Sequence, residues 1–159
     1  MIALSPYERL TDLLVVGEYD NIYLSQNHSS SKRPIATGNL GKDYIISINE
    51  SAYSTDTDKY LALNHEISHI EVGGFYDENT PKHEIDRIEY RVDKATVEAL
   101  VKFENYSRAL LSGCFTVEEQ SDFWDVPERY VSKVHEIYER SRWDDVQKLK
   151  AQVAAKWDC

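Results

Sequence analysis

Five consecutive residues, His65-Glu66-Ile67-Ser68-His69, read as H-E-x-x-H. On a helix, residues four apart lie on one face, one turn above each other. His65 and His69 can then aim two imidazoles at one ion. Glu66 follows the first histidine and leans toward the same space, where a carboxylate can take a proton from water. A catalytic zinc takes three protein ligands and keeps one position open, so the pair needs a third donor. Glu89, Asp93, Glu84, Asp86 and His83 are the downstream candidates. Glu89 and Asp93 form E-x-x-x-D, which suggests a division of labour. Glu89 would bind the metal, and Asp93 would accept a hydrogen bond from the outer nitrogen of a ligating histidine, fixing its tautomer and raising its basicity. His83 is the weaker ligand choice; with Tyr76 and Tyr90 it is a candidate oxyanion donor.

The elements that must position these residues follow from local signals. Ser54, Thr55 and Asp56 offer N-cap oxygens before the motif, and Gly73-Gly74 offers a stop after it. Tyr60, Leu63, Ile67 and Ile70 recur at helical spacing toward a core, with Leu61, His65, His69 and Val72 on roughly the opposite side. Buried polar rings in such a helix need partners. Upstream, Ser5-Pro6 starts a helix reaching about Val16, with Leu10, Leu13 and Leu14 as its stripe, and Gly17 to Asp20 ends it. Asn21 to Gln26 and Asp43 to Asn49 alternate as strands, Asn27 to Lys32 is a polar loop, and Pro34 to Gly41 reads as irregular with turns at Gly38 and Gly41. A small antiparallel sheet followed by helices is an α+β arrangement. Downstream, a helix from about Lys82 past Phe103 carries Ile85, Ile88, Val92, Ala95, Ala99 and Phe103.

The last third reads as helical. Leu110 to Gly113 closes a helix, and Thr116-Val117-Glu118-Glu119 is a capping box. Val117 and Phe123 anchor a short helix, and Pro127 opens another carrying Tyr130, Val131, Val134, Ile137 and Tyr138. The pair resembles helix-turn-helix geometry, with Arg129, Lys133, Arg140 and Arg142 among interleaved acids. An amphipathic helix with Val146, Leu149 and Val153 ends the chain. The expected division is residues 1–110 around the H-E-x-x-H and 111–159 as a helical, helix-turn-helix-like subdomain packed on it.

The 159 residues suffice for a real core, and the net charge of −10 disfavours bulk binding to nucleic acid or anionic membrane. Neither a secretory signal nor a membrane-spanning apolar run is expected. Cys114 and Cys159 make neither a disulfide framework nor C-x-x-C spacing, which fits a reducing cytoplasm. The three glycosylation sequons, at Asn27, Asn49 and Asn105, are then accidental.

Leu61 to His69 followed by Gly73-Gly74-Phe75-Tyr76 resembles the ImmA/IrrE family of metallopeptidases. Glu89 to Ala95 is similar to that family's second helix, and Gly113 through Val126-Pro127 to Tyr138 is similar to the tail of its phage and mobile-element members. The resemblance covers most of residues 40–140. It implies a zincin-like domain of gluzincin type, with His65, His69 and Glu89 on Zn2+ and Glu66 as base. It also implies an antirepressor that cleaves a helix-turn-helix transcriptional repressor encoded beside it, releasing a prophage or integrative element. Val92-Asp93 stands where many members have Ala-Asn, and this bears on the outer-nitrogen contact. The rival expectation is a non-proteolytic regulator that docks on the repressor through residues 113–142 and keeps a structural metal.

Overall fold

The computed structural model describes residues 3–15, 21–26 and 35–157. The expectations for Gly17 to Asp20, for Asn27 to Lys32 and for Cys159 lie outside the described residues. The chain is α+β. It divides into two compact units, Met1–Val92 and Asp93–Cys159, so the break falls within a helix.

The first unit contains α1 (Pro6–Val15), β1 (Ile22–Ser25), β2 (Ile35–Leu40), β3 (Asp43–Ile48), a single 3-10 turn, α2 (Asp56–Val72) and the start of α3 (Lys82–Leu100). Its core is Tyr7, Leu10 and Leu14 of α1, Ile22 of β1, Ile46 and Ile48 of β3, and Leu63 and Ile67 of α2. Burying each such aliphatic side chain is worth about 1.5–3 kcal/mol. This cluster fixes α1 and α2 against one face of the sheet. Ile46 and Ile48 point into it, whereas Tyr23 on the opposite side of β1 is exposed.

The sheet corrects two expectations. Its order is β1-β3-β2, with β1 parallel and β2 antiparallel to β3, so it is mixed rather than antiparallel. The segment read as irregular holds β2. Gly38 and Asn39 dilute its strand pattern, but β3 supplies the ladder, pairing Ile35 with Ile48 through to Leu40 with Asp43. The signal lay in the connection, Gly41-Lys42. Gly41 takes φ +71°, the requirement at the first central position of a two-residue hairpin whose twist suits the strands. The register has a consequence for the site. Thr37 stands opposite Ile46, and directly opposed residues share a face. Thr37 therefore points to the α2 side.

In the second unit the end of α3 precedes α4 (Phe103–Leu111), α5 (Val117–Trp124), α6 (Glu128–Ser141) and α7 (Trp143–Trp157). The expected run past Phe103 stops at Leu100. The buried hydroxyl of Tyr138 donates to the carbonyl of Val101, and Lys102 turns extended at φ −58° and ψ 149° before α4. A tertiary donor thus takes a carbonyl that the helix would otherwise use. Beyond Val92 the buried positions are Thr96, Val97 and Val101, while Ala99 is exposed. The larger valines win the interior from the alanines. Thr116 and Glu119 form the expected capping box. Val117 and Phe123, expected to anchor α5, are exposed; Gln120 and Trp124 turn inward instead. Trp124 stacks on Tyr106 at 5.6 Å between centroids, and Tyr138 meets the same ring at 5.0 Å. Val131, Val134, Ile137 and Tyr138 of α6 are buried, as are Val146 and Leu149 of α7. Among the basic residues noted in this unit, Lys133 pairs with Asp93 at 3.0 Å and Glu136 at 3.4 Å, and Arg142 pairs with Asp145.

His135 sits within this aromatic core. Its Nε2 lies 2.8 Å from Gln120 Oε1 and its Nδ1 lies 3.1 Å from the Tyr106 hydroxyl. Those partners suit a neutral ring that donates through Nε2 and accepts at Nδ1. Burial, opposed in part by Glu139, holds the ring's pKa below the usual 6.5. The unfolded chain therefore takes up this proton first as pH falls, and the folded state loses stability. Amide-exchange protection of α4 to α6 is expected to be full above the ordinary histidine pKa and to decline as pH drops through and below 6.5. In His135→Gln that part of the decline is expected to be absent. An equal decline in the variant would assign the loss to other groups.

Candidate metal centre

The motif helix is built to hold its end still. Thr55 caps the start of α2, its hydroxyl oxygen accepting from the Asp58 amide at 3.1 Å. At the far end Gly73 takes φ +62°, a left-handed conformation that glycine adopts at little cost. The Gly74 amide then reaches back to the His69 carbonyl at 3.0 Å, and the Gly73 amide to Ile70 at 3.2 Å. These bonds satisfy carbonyls that a helix end leaves without partners. The reversed chain brings the Gly74 carbonyl 2.6 Å from Nδ1 of His69. A carbonyl only accepts, so Nδ1 carries the proton and Nε2 presents its lone pair.

Nε2 of His69 faces Glu89. It lies 3.5 Å from Glu89 Oε1, and Nε2 of His65 lies 3.7 Å from Glu89 Oε2. Both separations are too long for hydrogen bonds. Three donor atoms about 2 Å from one tetrahedrally coordinated ion stand roughly 3.4 Å from each other. His65, His69 and Glu89 therefore fit a metal. The chemistry of the set agrees, since the imidazole lone pair of His69 and a carboxylate facing one another favour a cation between them. Among the described residues this is the only group of three or more His, Cys, Asp or Glu so placed, its ligand atoms all within 4.8 Å of one another.

Glu89 is delivered by α3, and α3 is tied to the end of α2. Arg91 donates from Nη2 to the Val72 carbonyl at 2.7 Å, a cation placed where the helix dipole is negative. The hydroxyl of Tyr76 donates to Glu89 Oε1 at 2.6 Å. Phe75 stacks on Tyr44 at 5.7 Å and lies 6.2 Å from the His69 ring. His65, His69, Phe75, Tyr76 and Glu89 line a cleft of about 270 Å³, whose other walls are Ile35, Thr37 and Glu66.

Of the residues singled out by sequence, His65, His69, Glu66, Glu89 and Tyr76 converge on this cleft. His83, Glu84 and Asp86 are exposed on the first turns of α3, Asp86 pairing with Lys82. Tyr90 is half-buried and does not line the cleft. Asp93 belongs to the second unit, where it pairs with Lys133. On His69 the outer nitrogen that a carboxylate was expected to hold is held by the Gly74 carbonyl. Thr37 was missed. Its hydroxyl lies 2.5 Å from Glu66 Oε2, and it sits in the segment read as irregular, so only recognition of the hairpin could have found it.

The second unit has its own apolar cleft of about 640 Å³, bordered by Leu110, Phe115, Val117 and Val131. No helix among the described residues is long and apolar enough to cross a membrane. No protein-family model matches the chain, and neither a characterised protein nor a solved structure does.

Gly74 has no room for a side chain. A Cβ there would stand 2.9 Å from Ile88 Cγ2 and 3.1 Å from Val72 Cγ2. Gly74→Ala is expected to push the carbonyl away from His69 and to weaken divalent-metal binding by about 10-fold or more, the usual cost of losing a partner behind a ligand. Competition against a chromophoric chelator measures it. An unchanged affinity would mean that the carbonyl does not orient the ring.

Proposed function

We propose that the chain is a zinc-dependent endopeptidase with a zincin-like fold and a gluzincin ligand set. The observation that carries this reading is the convergence of two imidazoles and the Glu89 carboxylate at ion-sized separations, with Glu66 in the same cleft. Held by His65, His69 and Glu89, zinc would supply Lewis acidity toward a peptide carbonyl and an attacking water. Glu66 takes the water's proton and passes it to the leaving amine. The two imidazoles and Glu89 leave it nothing to do as a ligand, so its charge is available for proton transfer. Tyr76 stands at the ligands with a hydroxyl that can turn from Glu89 to a developing oxyanion, a contribution often worth about 3 kcal/mol.

The substrate is an extended polypeptide. β3 is central in the sheet, whereas β2 is an edge strand among the described residues. Ile35 and Thr37 of β2 line the cleft. An added strand on β2 would satisfy that edge's backbone groups and lay a scissile bond along the site. The choice of a helix-turn-helix repressor, in the cytoplasm and encoded beside this chain in a prophage or mobile element, rests on the resemblance of Leu61 to Tyr76 and Glu89 to Ala95 to the ImmA/IrrE pattern.

Incubation of the zinc-loaded protein with the neighbouring repressor is expected to yield discrete fragments on a gel. Chelation is expected to abolish them and added zinc to restore them. Glu66→Gln is expected to reduce cleavage by at least about 1,000-fold, in the upper half of the usual general acid–base contribution of about 100- to 10,000-fold because the carboxylate serves both halves of the reaction, while zinc content stays at the wild-type level. Cleavage at the wild-type rate by this variant would refute the assignment. An intact repressor that nonetheless leaves its DNA would replace proteolysis with docking.

A further inference from the structure

We propose that Thr37 is a positioning residue for Glu66, and that the edge strand of the sheet thereby aims the catalytic base. This inference rests on the endopeptidase reading above. Its observation is separate: the Thr37 hydroxyl donates to Oε2 of Glu66 across 2.5 Å, between residues 29 apart in sequence. Both side chains are half-buried in the cleft wall.

The need for such a partner follows from the helix. His65 and His69 are fixed by the ligand set, and His69 also by Gly74. Glu66 has three rotatable bonds and a helix that holds only its Cα. Leaving it unsecured lets it populate several rotamers, a freedom that an ordered side chain must give up. A hydroxyl from a β-branched residue on a paired strand is a rigid donor by comparison, because the strand fixes its backbone and branching restricts its χ1. The bond engages Oε2 as an acceptor and leaves Oε1 as the oxygen that takes the proton. The register is essential. Thr37 faces α2 because it opposes Ile46, and a one-residue slip of β2 would turn it to the other face. The strand that aims the base is also the one on which an extended substrate would add, so a single element sets both.

The experiment compares Thr37→Val, Thr37→Ala and Thr37→Ser as zinc-loaded proteins, with kcat and KM measured on the neighbouring repressor and Tm by calorimetry. Valine keeps shape and strand preference and lacks only the hydroxyl; alanine is the second hydroxyl-free variant should valine pack badly. Both are expected to lose about 10- to 100-fold in kcat, the scale of a base misplaced by roughly an ångström, with KM within about twofold since the strand backbone is kept. Serine is expected to restore most of kcat. Independently of cleavage, the Tm shifts of Thr37→Val and Glu66→Ala are expected to fall short of adding by about 2 °C or more, as contacting residues do. An active wild type with unaffected kcat in both hydroxyl-free variants overturns the positioning role alone, as do additive Tm shifts or failure of serine to rescue. A zinc-loaded wild type that cleaves nothing overturns the endopeptidase reading and this role with it.

Discussion

The structure of the site depends on a reciprocal pair of hydrogen bonds between His69 and Gly74. The backbone of Gly74 donates to the His69 carbonyl, and the His69 ring donates to the Gly74 carbonyl. The first bond ends the helix; the second orients a ligand. Neither survives a longer or straighter connection, because both require the chain to reverse within one left-handed residue at Gly73. Where many metal sites use a carboxylate behind the histidine, His69 uses the main chain. A carbonyl brings no net charge, so the −1 of Glu89 remains the only formal charge in the ligand set opposite the two rings when both are neutral. The tautomer of His69 is set by a backbone carbonyl rather than by a second acid.

Tying the glycine turn to α3 is what turns a helix end into a site. Arg91 grips the last carbonyl of α2, and Ile88 packs so close to Gly74 that a Cβ there would force a shift. Residues 88 and 91 flank Glu89, so the contacts that seat α3 on the turn also set the height at which Glu89 meets the two rings. Tyr76, from the linker itself, then restricts the carboxylate by its bond to Oε1. All three ligands lie between His65 and Glu89, joined by one short connection. The loop-closure cost of assembling them is correspondingly small, since it grows only slowly with the length enclosed.

How far this could be read from the sequence depended on whether the controlling contacts were local. The helix that carries His65 and His69 was legible because its cap at Thr55 and its stop at Gly73 are encoded within one turn of its ends. Glu89 was legible as one of five downstream candidates on a single helix, and the capping box at Thr116 because it is four residues long. Where contacts were distant the reading failed. β2 has little strand character of its own and exists by pairing with β3, so Thr37 was hidden with it. The end of α3 at Leu100 has no glycine or proline to announce it; a hydroxyl from Tyr138 on α6 takes the carbonyl. The exposed Phe123 and buried Gln120 of α5 invert the hydrophobic ranking, because Gln120 bridges His135 and the Cys114 carbonyl and a satisfied amide can be buried where an unsatisfied one cannot.

The two kinds of contact also divide the labour within the cleft. The donor triad is assembled by a helix, a turn and a helix that follow one another in the chain, and it is stiff because each part is capped by the next. The carboxylate of Glu66, in the same cleft, is held instead from the sheet, by a strand of distant sequence. The candidate ligand set is therefore assembled by local structure, whereas the placement of the Glu66 carboxylate depends on correct registration of β2 on β3. The H-E-x-x-H spacing specifies the first and is silent on the second. That is why a motif alone marks where an ion can sit more securely than it marks whether the neighbouring acid is aimed to use it.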